Sequence, residues 1–440
     1  MNTSLPPGFR RPRVLQLAYC CGPQSGSEEG LGWNIANEAA RHCDTWVICE
    51  EHMYAPTIMK YLQEHGPIHG LTFVFVPEKA HARYLWAVGL GYVSYNLWHR
   101  RALDVARRLH EQYCFDLVHQ VNVIGFREPG YLWKLGIPFV WGPIGGLQNY
   151  PLRFLAEVGL SAGLAELIRT AVNRFQLRYS RRVRNAAKRA TALLAANSHT
   201  QRTLGQWIGS EPILLSEVHA ELSGISDRRL RAGDGTLRVL WSGKFLPIKA
   251  LSLLLRALAD FPEDVRFQLR VVGDGPQRGR WQRLARRLAI DDRIDWVGWR
   301  PHKAALAEFS WADVSVFSSL RDTTGTVVVE SLSHGTPVIC LDHHGAGDLV
   351  DETCGIKIPV TNRRQVIADL RDALVALARS PDELHKLGRG AVQRAQDYAG
   401  RRQGEKVLRV YRDVLTRSVP TTTRNAPTPF IPDIACRSTD

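Results

Sequence analysis

Residues 237–249, LRVLWSGKFLPIK, decide the fold. The apolar run at 237–242 predicts a short buried strand, and the loop after it contains Gly243, Lys244 and Lys249. Ligands of open α/β sheets bind beyond the carboxyl ends of the strands, so both lysines stand where a phosphate would lie. Two solvent-exposed loop lysines are the alternative for this stretch taken alone.

Apolar runs alternate with longer helix-compatible segments on both sides of this stretch, a rhythm typical of βαβ units in a parallel sheet. The chain has 440 residues, too many for one ordinary core, so we expect two α/β domains. The predicted strands are 14–19, 45–49, 71–76, 117–119, 138–141, 192–196, 237–242, 268–272, 294–297, 314–317 and 337–341. The predicted helices include 33–41, 251–260 and 278–288.

The domain boundaries follow from shifts in composition. We expect an N-terminal α/β domain at residues 12–218 and a C-terminal α/β domain at 237–397, joined by a linker at 219–236 that is rich in Ser, Gly, Asp and Arg. A basic helix is predicted at 398–418. The Pro/Thr-rich tail at 419–440 is expected to be disordered.

The composition of the chain limits the classes of protein to which it can belong. Hydrophobic residues make up 45% and charged residues 23%, which is typical of a globular chain. No stretch supplies about 20 uninterrupted apolar residues for a membrane span, and residues 1–13 have no apolar core typical of a signal peptide. The eight cysteines form no C-x-x-C pair, which favours buried thiols in a reducing compartment. We therefore expect a cytoplasmic protein.

A second candidate element is LRDTTGTVVVE at residues 320–330, which places Asp322 and Glu330 eight residues apart across a Thr/Gly turn. A glycine loop that enters a helix presents free backbone N–H groups to an anion, so a diphosphate would fit there. Asp322 could accept hydrogen bonds from sugar hydroxyls, and Glu330 could hold a ribose. The alternative is an N-terminal helix cap at Asp322 and a solvated Glu330.

A third element is the turn Gly273-Asp274-Gly275-Pro276 at the end of the predicted strand 268–272. Such a turn is common by itself, but the three elements in this order and spacing are far more specific. The sequence contains no D-x-D pair, a common arrangement of carboxylates that hold a metal ion at a diphosphate. Lysine ammonium groups can neutralise a departing diphosphate, as a magnesium ion does elsewhere.

Together these elements resemble glycosyltransferase family 4, whose members have the GT-B architecture of two facing Rossmann-like domains. The resemblance covers residues 14–417. The family's G-R…K-G stretch matches Gly243, Lys244 and Lys249, its G-D-G-P turn matches 273–276, and its E-x7-E motif matches Asp322 and Glu330. Residues 22–34 and 141–146 resemble one branch of the family.

The resemblance implies roles for these positions. Lys244 and Lys249 would grip the donor diphosphate, Glu330 would bind the nucleotide ribose, and no metal or cofactor would be needed. Asp322 stands where most members have Glu, so the loop would have to shift for its shorter side chain to reach a sugar hydroxyl. Lys244 stands where many members have Arg, so the two parallel hydrogen bonds that a guanidinium group can donate are lost. The remaining donor-binding positions would be Gly26, Gly243, Gly273, Asp274, Gly275, Thr324, Gly325 and Thr326.

His119 ends the predicted strand 117–119 and falls where the family often carries a histidine that faces the acceptor. The resemblance implies a catalytic role for it. Val121 occupies a second position at which some members carry another histidine, so the match is incomplete. The alternative is a structural histidine in the core.

The function implied is metal-independent transfer of a hexose, with retention, from a nucleotide diphosphate sugar to a glycan or lipid-linked acceptor in polysaccharide biosynthesis. The alternative within the same fold is a nucleotide-sugar epimerase, which would release a rearranged sugar without an acceptor. A nucleic-acid binder is the other class that the basic pI of 9.6 permits, but no RRM, KH, zinc-finger or helix-turn-helix signature occurs. We therefore expect no nucleic-acid partner.

The net charge of +14 is unevenly distributed. Residues 169–189 contain eight basic residues and no acidic one, and residues 84–98 are rich in Tyr, Trp and Leu. Aromatic side chains beside cations suit a membrane interface, so we expect peripheral binding to the anionic inner face of the cell membrane. A solvated basic face and a core helix are the alternative.

Overall fold

Each half of the chain forms its own parallel sheet. The computed structural model describes residues 10–23, 27–79, 91–220 and 235–418, so Gly26, most of the predicted linker and the predicted tail lie outside the described residues. The predicted α/β class is confirmed, and every predicted strand and helix named above has a counterpart. The short strands at Ile213–Leu214 and Gly355–Ile358 were not anticipated.

The N-terminal sheet has the strand order β3-β2-β1-β4-β5-β6-β7. Its strands are β1 (Arg13–Ala18), β2 (Asp44–Glu50), β3 (Leu71–Val76), β4 (Leu117–Asn122), β5 (Phe139–Ile144), β6 (Ala192–Ala195) and β7 (Ile213–Leu214). Its helices are α1 (Ser27–Ala40), α2 (Glu51–His65), α3 (Gly91–Tyr113), α4 (Leu155–Val158), α5 (Leu160–Tyr179), α6 (Arg181–Arg189) and α7 (Ser198–Ile208).

The C-terminal sheet has the order β10-β9-β8-β11-β12-β13. Its strands are β8 (Thr236–Ser242), β9 (Arg266–Val272), β10 (Ile294–Gly298), β11 (Val314–Phe317), β12 (Val338–Leu341) and β13 (Gly355–Ile358). The helices are α8 (Leu251–Ala259), α9 (Arg278–Arg287), α10 (His302–Trp311), α11 (Thr326–Ser333), α12 (His344–Leu349), α13 (Arg363–Arg379), α14 (Pro381–Gln396) and α15 (Gly400–Ser418).

Strands at the centre of each sheet are buried along their whole length, as in β4, β5, β11 and β12. Helices cover both faces of a parallel sheet, so the strands read as near-continuous apolar runs. The direction of strand order reverses between β1 and β4 in the first sheet and between β8 and β11 in the second. A crevice opens at the carboxyl ends of the strands at such a reversal. None of the helices in the described part of the chain is long and apolar enough to cross a membrane.

The C-terminal helix α15 returns to the N-terminal domain and packs against α1. Gly404 permits this close approach, because a Cβ atom there would lie 2.4 Å from the Cβ of Glu38. Tyr411 of α15 is fully enclosed between two buried polar side chains. Gln16 donates from Nε2 to its Oη at 3.0 Å, and the Tyr411 hydroxyl in turn lies 2.7 Å from His119 Nδ1.

The position of His119 corrects the expectation that it faces an acceptor. Its side chain is fully buried, and its Nε2 lies 2.7 Å from the carbonyl oxygen of Gly142, which can only accept. Nε2 therefore carries the proton, and Nδ1 accepts from Tyr411. Burial lowers the pKa of His119 to about 4, so the ring is neutral at pH 7. Both nitrogens are used within the protein, as in a structural histidine.

We predict that Tyr411→Phe destabilises the protein without touching the cleft. Removing the hydroxyl leaves His119 Nδ1 and Gln16 Nε2 buried without this partner, which costs about 1–3 kcal/mol. Urea unfolding followed by circular dichroism measures the loss, with Tyr92→Phe at an exposed position as the matched control. An unfolding curve identical to that of the control would show that the buried chain of hydrogen bonds contributes nothing.

Candidate functional site

The loops that carry the predicted donor-binding residues follow three neighbouring strands, β9, β8 and β11. Gly273 lies so close to Gly243 that a Cβ atom on it would be 2.0 Å from the Gly243 carbonyl oxygen, and its φ is +126°. Glycine is therefore required for the first two loops to meet. The Asp274 side chain accepts from the Gly275 N–H at 2.7 Å and pairs with Arg278 at 2.9 Å, so it holds the turn.

Lys249 and Asp322 form an ion pair between the loops that follow β8 and β11. Both side chains are largely buried, and the Lys249 ammonium lies 5.5 Å from the centre of the Phe317 ring. The backbone carbonyl of Lys249 accepts from Ser318 Oγ at 2.9 Å, which fixes the loop to the end of β11. Lys249 is thus positioned at the reversal of strand order, whereas Lys244 is solvent-exposed at the other end of the same loop.

Helix α11 begins at Thr326 with its first turn open. Its N-cap is Gly325 with φ +99°, and no side chain caps the helix. A Cβ atom at Gly325 would lie 2.8 Å from the Phe317 ring, so only glycine fits. Asp322 does not act as the cap, since its Oδ1 accepts from the Thr323 N–H at 3.2 Å. The free N–H groups and the helix dipole favour an anion beside Lys249.

Glu330 lies further along α11 and faces helix α10. Its Oε1 is 2.8 Å from His302 Nε2, and the Glu330 side chain is 18% exposed. This partial burial argues against a simply solvated helix residue. The structure thus brings Lys249, Asp322, Thr324, Gly325 and Thr326 together at one place, with Gly243, Lys244, Gly273, Asp274 and Gly275 in the adjoining loops.

The N-terminal domain touches the same loop. Asn197 Nδ2 donates to the Thr323 carbonyl oxygen at 2.6 Å, and a Cβ atom at Gly145 would lie 2.6 Å from Thr323 Cγ2. Next to Asn197, the N–H and hydroxyl of Ser198 donate to the Asp348 carboxylate at 2.7 and 2.6 Å. These contacts put the loop of Asp322 at the bottom of a cleft between the two domains.

Glu217 is a cleft residue that sequence reasoning missed. It follows β7, and its buried Oε2 has no hydrogen-bond partner among the described residues. Burial first, and then the nearby Glu28 carboxylate, raise the pKa of Glu217 to about 8, while Thr324 and Asp322 are further neighbours. Burial also raises the pKa of Glu28. A polar residue just beyond the carboxyl end of a strand is the signal that could have located it.

Arg321, beside Asp322, is a second residue that sequence reasoning missed. Its Nε and Nη2 each lie 2.9 Å from one oxygen of Glu166, which belongs to helix α5 of the N-terminal domain. The Nη2 contact is a hydrogen bond to Oε1 and the Nε contact is an ion pair with Oε2, so together they hold Arg321 against the N-terminal domain. Among the described residues, no group of three or more His, Cys, Asp or Glu side chains is arranged to hold a metal ion.

Solved structures share this two-domain arrangement. A glycosyltransferase from Rickettsia africae matches with a TM-score of 0.65 and 14% identity over 93% of this chain and 100% of that one. HepE of Anabaena in complex with UDP-glucose matches with a TM-score of 0.57 and 17% identity over 91% and 99%. Two facing Rossmann-like domains with a cleft at the carboxyl ends of their strands define the GT-B class of protein.

Within that class, residues 225–391 match the family model for glycosyl transferases group 1. D-inositol 3-phosphate glycosyltransferase of Streptomyces bingchenggensis is 29% identical over 253 residues, 51% of this chain and 53% of that protein. LpsE, a lipopolysaccharide core biosynthesis glycosyltransferase of Rhizobium meliloti, is 33% identical over 111 residues, 24% and 30%. The chain therefore spans about half or less of these curated relatives.

We predict that Glu217→Gln changes how stability depends on pH. The folded-state pKa lies above the ordinary value of 4.5, so the folded protein keeps this proton up to about pH 8. The free energy of unfolding of the wild type therefore falls as pH rises from about 4.5 to about 8. Glu217→Gln has no proton to lose at this position, so its stability does not fall for this reason. The free energy of unfolding of the variant, relative to that of the wild type, should increase by up to about 1.4 kcal/mol per pH unit.

Urea unfolding midpoints measured across this pH range without ligand provide the test. Glu64→Gln, at an exposed position of α2, is the control. If the curves of wild type and Glu217→Gln run parallel, the carboxyl is already ionised in the folded protein and the assignment is wrong.

Proposed function

We propose that this protein transfers a hexose from a nucleotide diphosphate sugar to a glycan or lipid-linked acceptor, with retention of anomeric configuration and without a metal, in polysaccharide biosynthesis. The observation that carries the proposal is the Lys249–Asp322 pair beside the uncapped start of α11, at the reversal of strand order. A cation, a carboxylate and the positive end of a helix dipole converge there, which supports a role in binding a diphosphate and a sugar. The relatives in inositol glycoside and lipopolysaccharide core synthesis support the same reaction class.

The diphosphate would lie against Lys249 and the first N–H groups of α11. Negative charge builds on the leaving phosphate as its bond to the sugar breaks, and a fixed ammonium plus free N–H groups stabilise that charge most in the transition state. Exposed Lys244 adds a second cation at the loop entrance. Glu330 would accept from the ribose hydroxyls, with His302 as its present partner.

The sugar would lie over Asp322. This carboxylate is one methylene shorter than glutamate, but Lys249 and the Thr323 N–H hold it in place, so it can accept from a sugar hydroxyl without reorganising. HepE binds UDP-glucose in its solved complex, which supports a nucleotide hexose as donor. Asn197 and Gly145 limit the space on the acceptor side through their contacts with Thr323.

Retention would proceed by transfer on one face of the sugar. The acceptor oxygen forms its bond to the anomeric carbon as the bond to the phosphate oxygen breaks, and the acceptor proton passes to that leaving oxygen. The protein's contribution is then electrostatic and positional. His119 takes no part in this scheme, because both of its nitrogens are engaged in the core. The reaction would take place at the cytoplasmic face of the membrane, where the basic N-terminal domain meets lipid.

We predict that Lys249→Ala lowers turnover by about 10²-fold or more, the effect of removing one preorganised charge-stabilising group. Lys386→Ala, at an exposed position of α14, is the matched control and should keep wild-type turnover. The donor is first found by thermal stabilisation with a panel of nucleotide sugars, since bound ligand raises apparent stability. Near-normal turnover of Lys249→Ala would reject the assigned role.

Product analysis by NMR tests the reaction class. A new glycosidic bond with the donor's anomeric configuration is expected in the presence of acceptor. An inverted linkage would overturn retention, and release of a rearranged free sugar without acceptor would identify an epimerase instead. Full turnover in the presence of EDTA is expected, and its loss, restored by added Mg²⁺, would overturn metal independence.

A further inference from the structure

Helix α5 is amphipathic, but its polar face packs against the protein and its apolar face is exposed. Glu166 is buried against Arg321, and buried Asn173 accepts at Oδ1 from Arg127 Nη2 at 2.5 Å. Arg169 reaches inward as well and donates to the carbonyl oxygens of Gln148 and Gly146 at 2.7 and 3.1 Å. These hydrogen bonds fix which side of the helix packs against the domain.

The opposite side of α5 exposes a row of large apolar side chains. They follow a helical repeat of three and four residues and so lie on one face over a length of about 30 Å. Leu160 is 97% exposed and Phe175 64%. The row consists of Leu160, Leu164, Leu167, Ile168, Val172, Phe175 and Tyr179. A contiguous apolar surface of this kind marks an interaction site.

The surroundings of this row are cationic. Between residues 152 and 189 the acidic residues are Glu157 and Glu166, and both are buried in ion pairs, with Arg363 and Arg321 respectively. The exposed charges in this region are therefore all positive. They are Arg153, Arg174, Arg178, Arg181, Arg184, Lys188 and Arg189.

Charge decides which partner fits this face. A second copy of the chain would bring the same cations against one another, and like charges across an interface disfavour it. A bilayer that contains anionic lipid offers an apolar layer for the leucines and phosphate groups for the arginines at the same time. Tyr92 and Val93, at the start of α3, are further exposed hydrophobic residues of the N-terminal domain.

We propose that the apolar face of α5 inserts into the interface of an anionic bilayer while the exposed arginines of α5 and α6 contact lipid phosphates. The helix lies along the membrane plane, with its side chains about 5–10 Å deep. This inference deepens the membrane location proposed above and rests on it. It assigns that location to one surface of the N-terminal domain.

The placement has a direct link to the cleft. Glu166, on the protein-facing side of α5, holds Arg321, and Arg321 precedes Asp322 in the loop at the bottom of the cleft. A bilayer in contact with the outer side of α5 is therefore separated from this loop by little more than one helix diameter, about 10 Å. An acceptor anchored in lipid would reach the cleft without leaving the membrane.

The test measures co-sedimentation of the full chain with vesicles of equimolar phosphatidylcholine and phosphatidylglycerol. Leu164→Glu combined with Phe175→Glu should reduce partitioning about tenfold or more, because two exposed apolar anchors are lost from the lipid. Met53→Glu combined with Met59→Glu on α2 is the matched control, since it changes exposed apolar residues and net charge equally. The control should bind vesicles as the wild type does.

Arg174→Gln combined with Arg178→Gln tests the electrostatic part. Binding should weaken, and it should depend less on salt than wild-type binding does. If the wild type binds pure phosphatidylcholine vesicles as strongly as it binds the anionic vesicles, the electrostatic part of the proposal is wrong. Equal vesicle binding by wild type and the Leu164/Phe175 double variant would overturn the docking face itself.

Two further outcomes separate this inference from its rivals. In the first, the wild type forms a dimer, the Leu164/Phe175 double variant is monomeric, and the wild type does not bind vesicles. This outcome would identify the face as a self-association surface and refute the membrane proposal. Vesicle binding without any sugar transfer would support the docking face while refuting the proposed function. Thermal stabilisation by the donor should be the same for wild type and double variant, which confirms that the cleft is intact.

Discussion

The burial of parallel strands on both faces is the constraint on which the site depends. Strands β8 and β11 lie at the centre of a sheet covered by helices, so side chains that are to meet a ligand from solvent lie where these strands end. The reversal of strand order splays the two following loops apart and leaves room between them. Lys249 and Asp322 occupy this space, and each compensates the other's charge.

The second domain converts this open crevice into a cleft. Asn197 and Gly145 touch Thr323, while Glu166 holds Arg321, so the loop around Asp322 is supported from both domains. Glu217, whose Oε2 is buried, adds a carboxyl group to the same place. A loop supported in this way is preorganised, which is how proteins stabilise developing charge without a structural rearrangement.

Local features of the sequence were sufficient to predict the strands and the glycine-containing loops that follow them. Buried parallel strands are short apolar runs, and the glycines at 243, 273 and 325 stand where backbone must approach closely, so both signals lie within a few residues. The role expected for His119 was wrong because its partner, Tyr411, is 292 residues away in sequence. The exposed apolar face of helix α5 could not be predicted either, because the periodicity of a sequence reveals two faces of a helix but not which of them packs against the protein.

The return of α15 has a consequence for how such proteins can diversify. Because Tyr411 completes the hydrogen bonds of Gln16 and His119, the last helix belongs physically to the first domain although the chain reaches it only after the second. Replacing the C-terminal domain with that of a relative would therefore need two splice points, one near residue 220 and one near 399, where Ala220 and Ala399 pair in an isolated bridge. A single exchange of C-terminal halves would import a foreign helix into the native core.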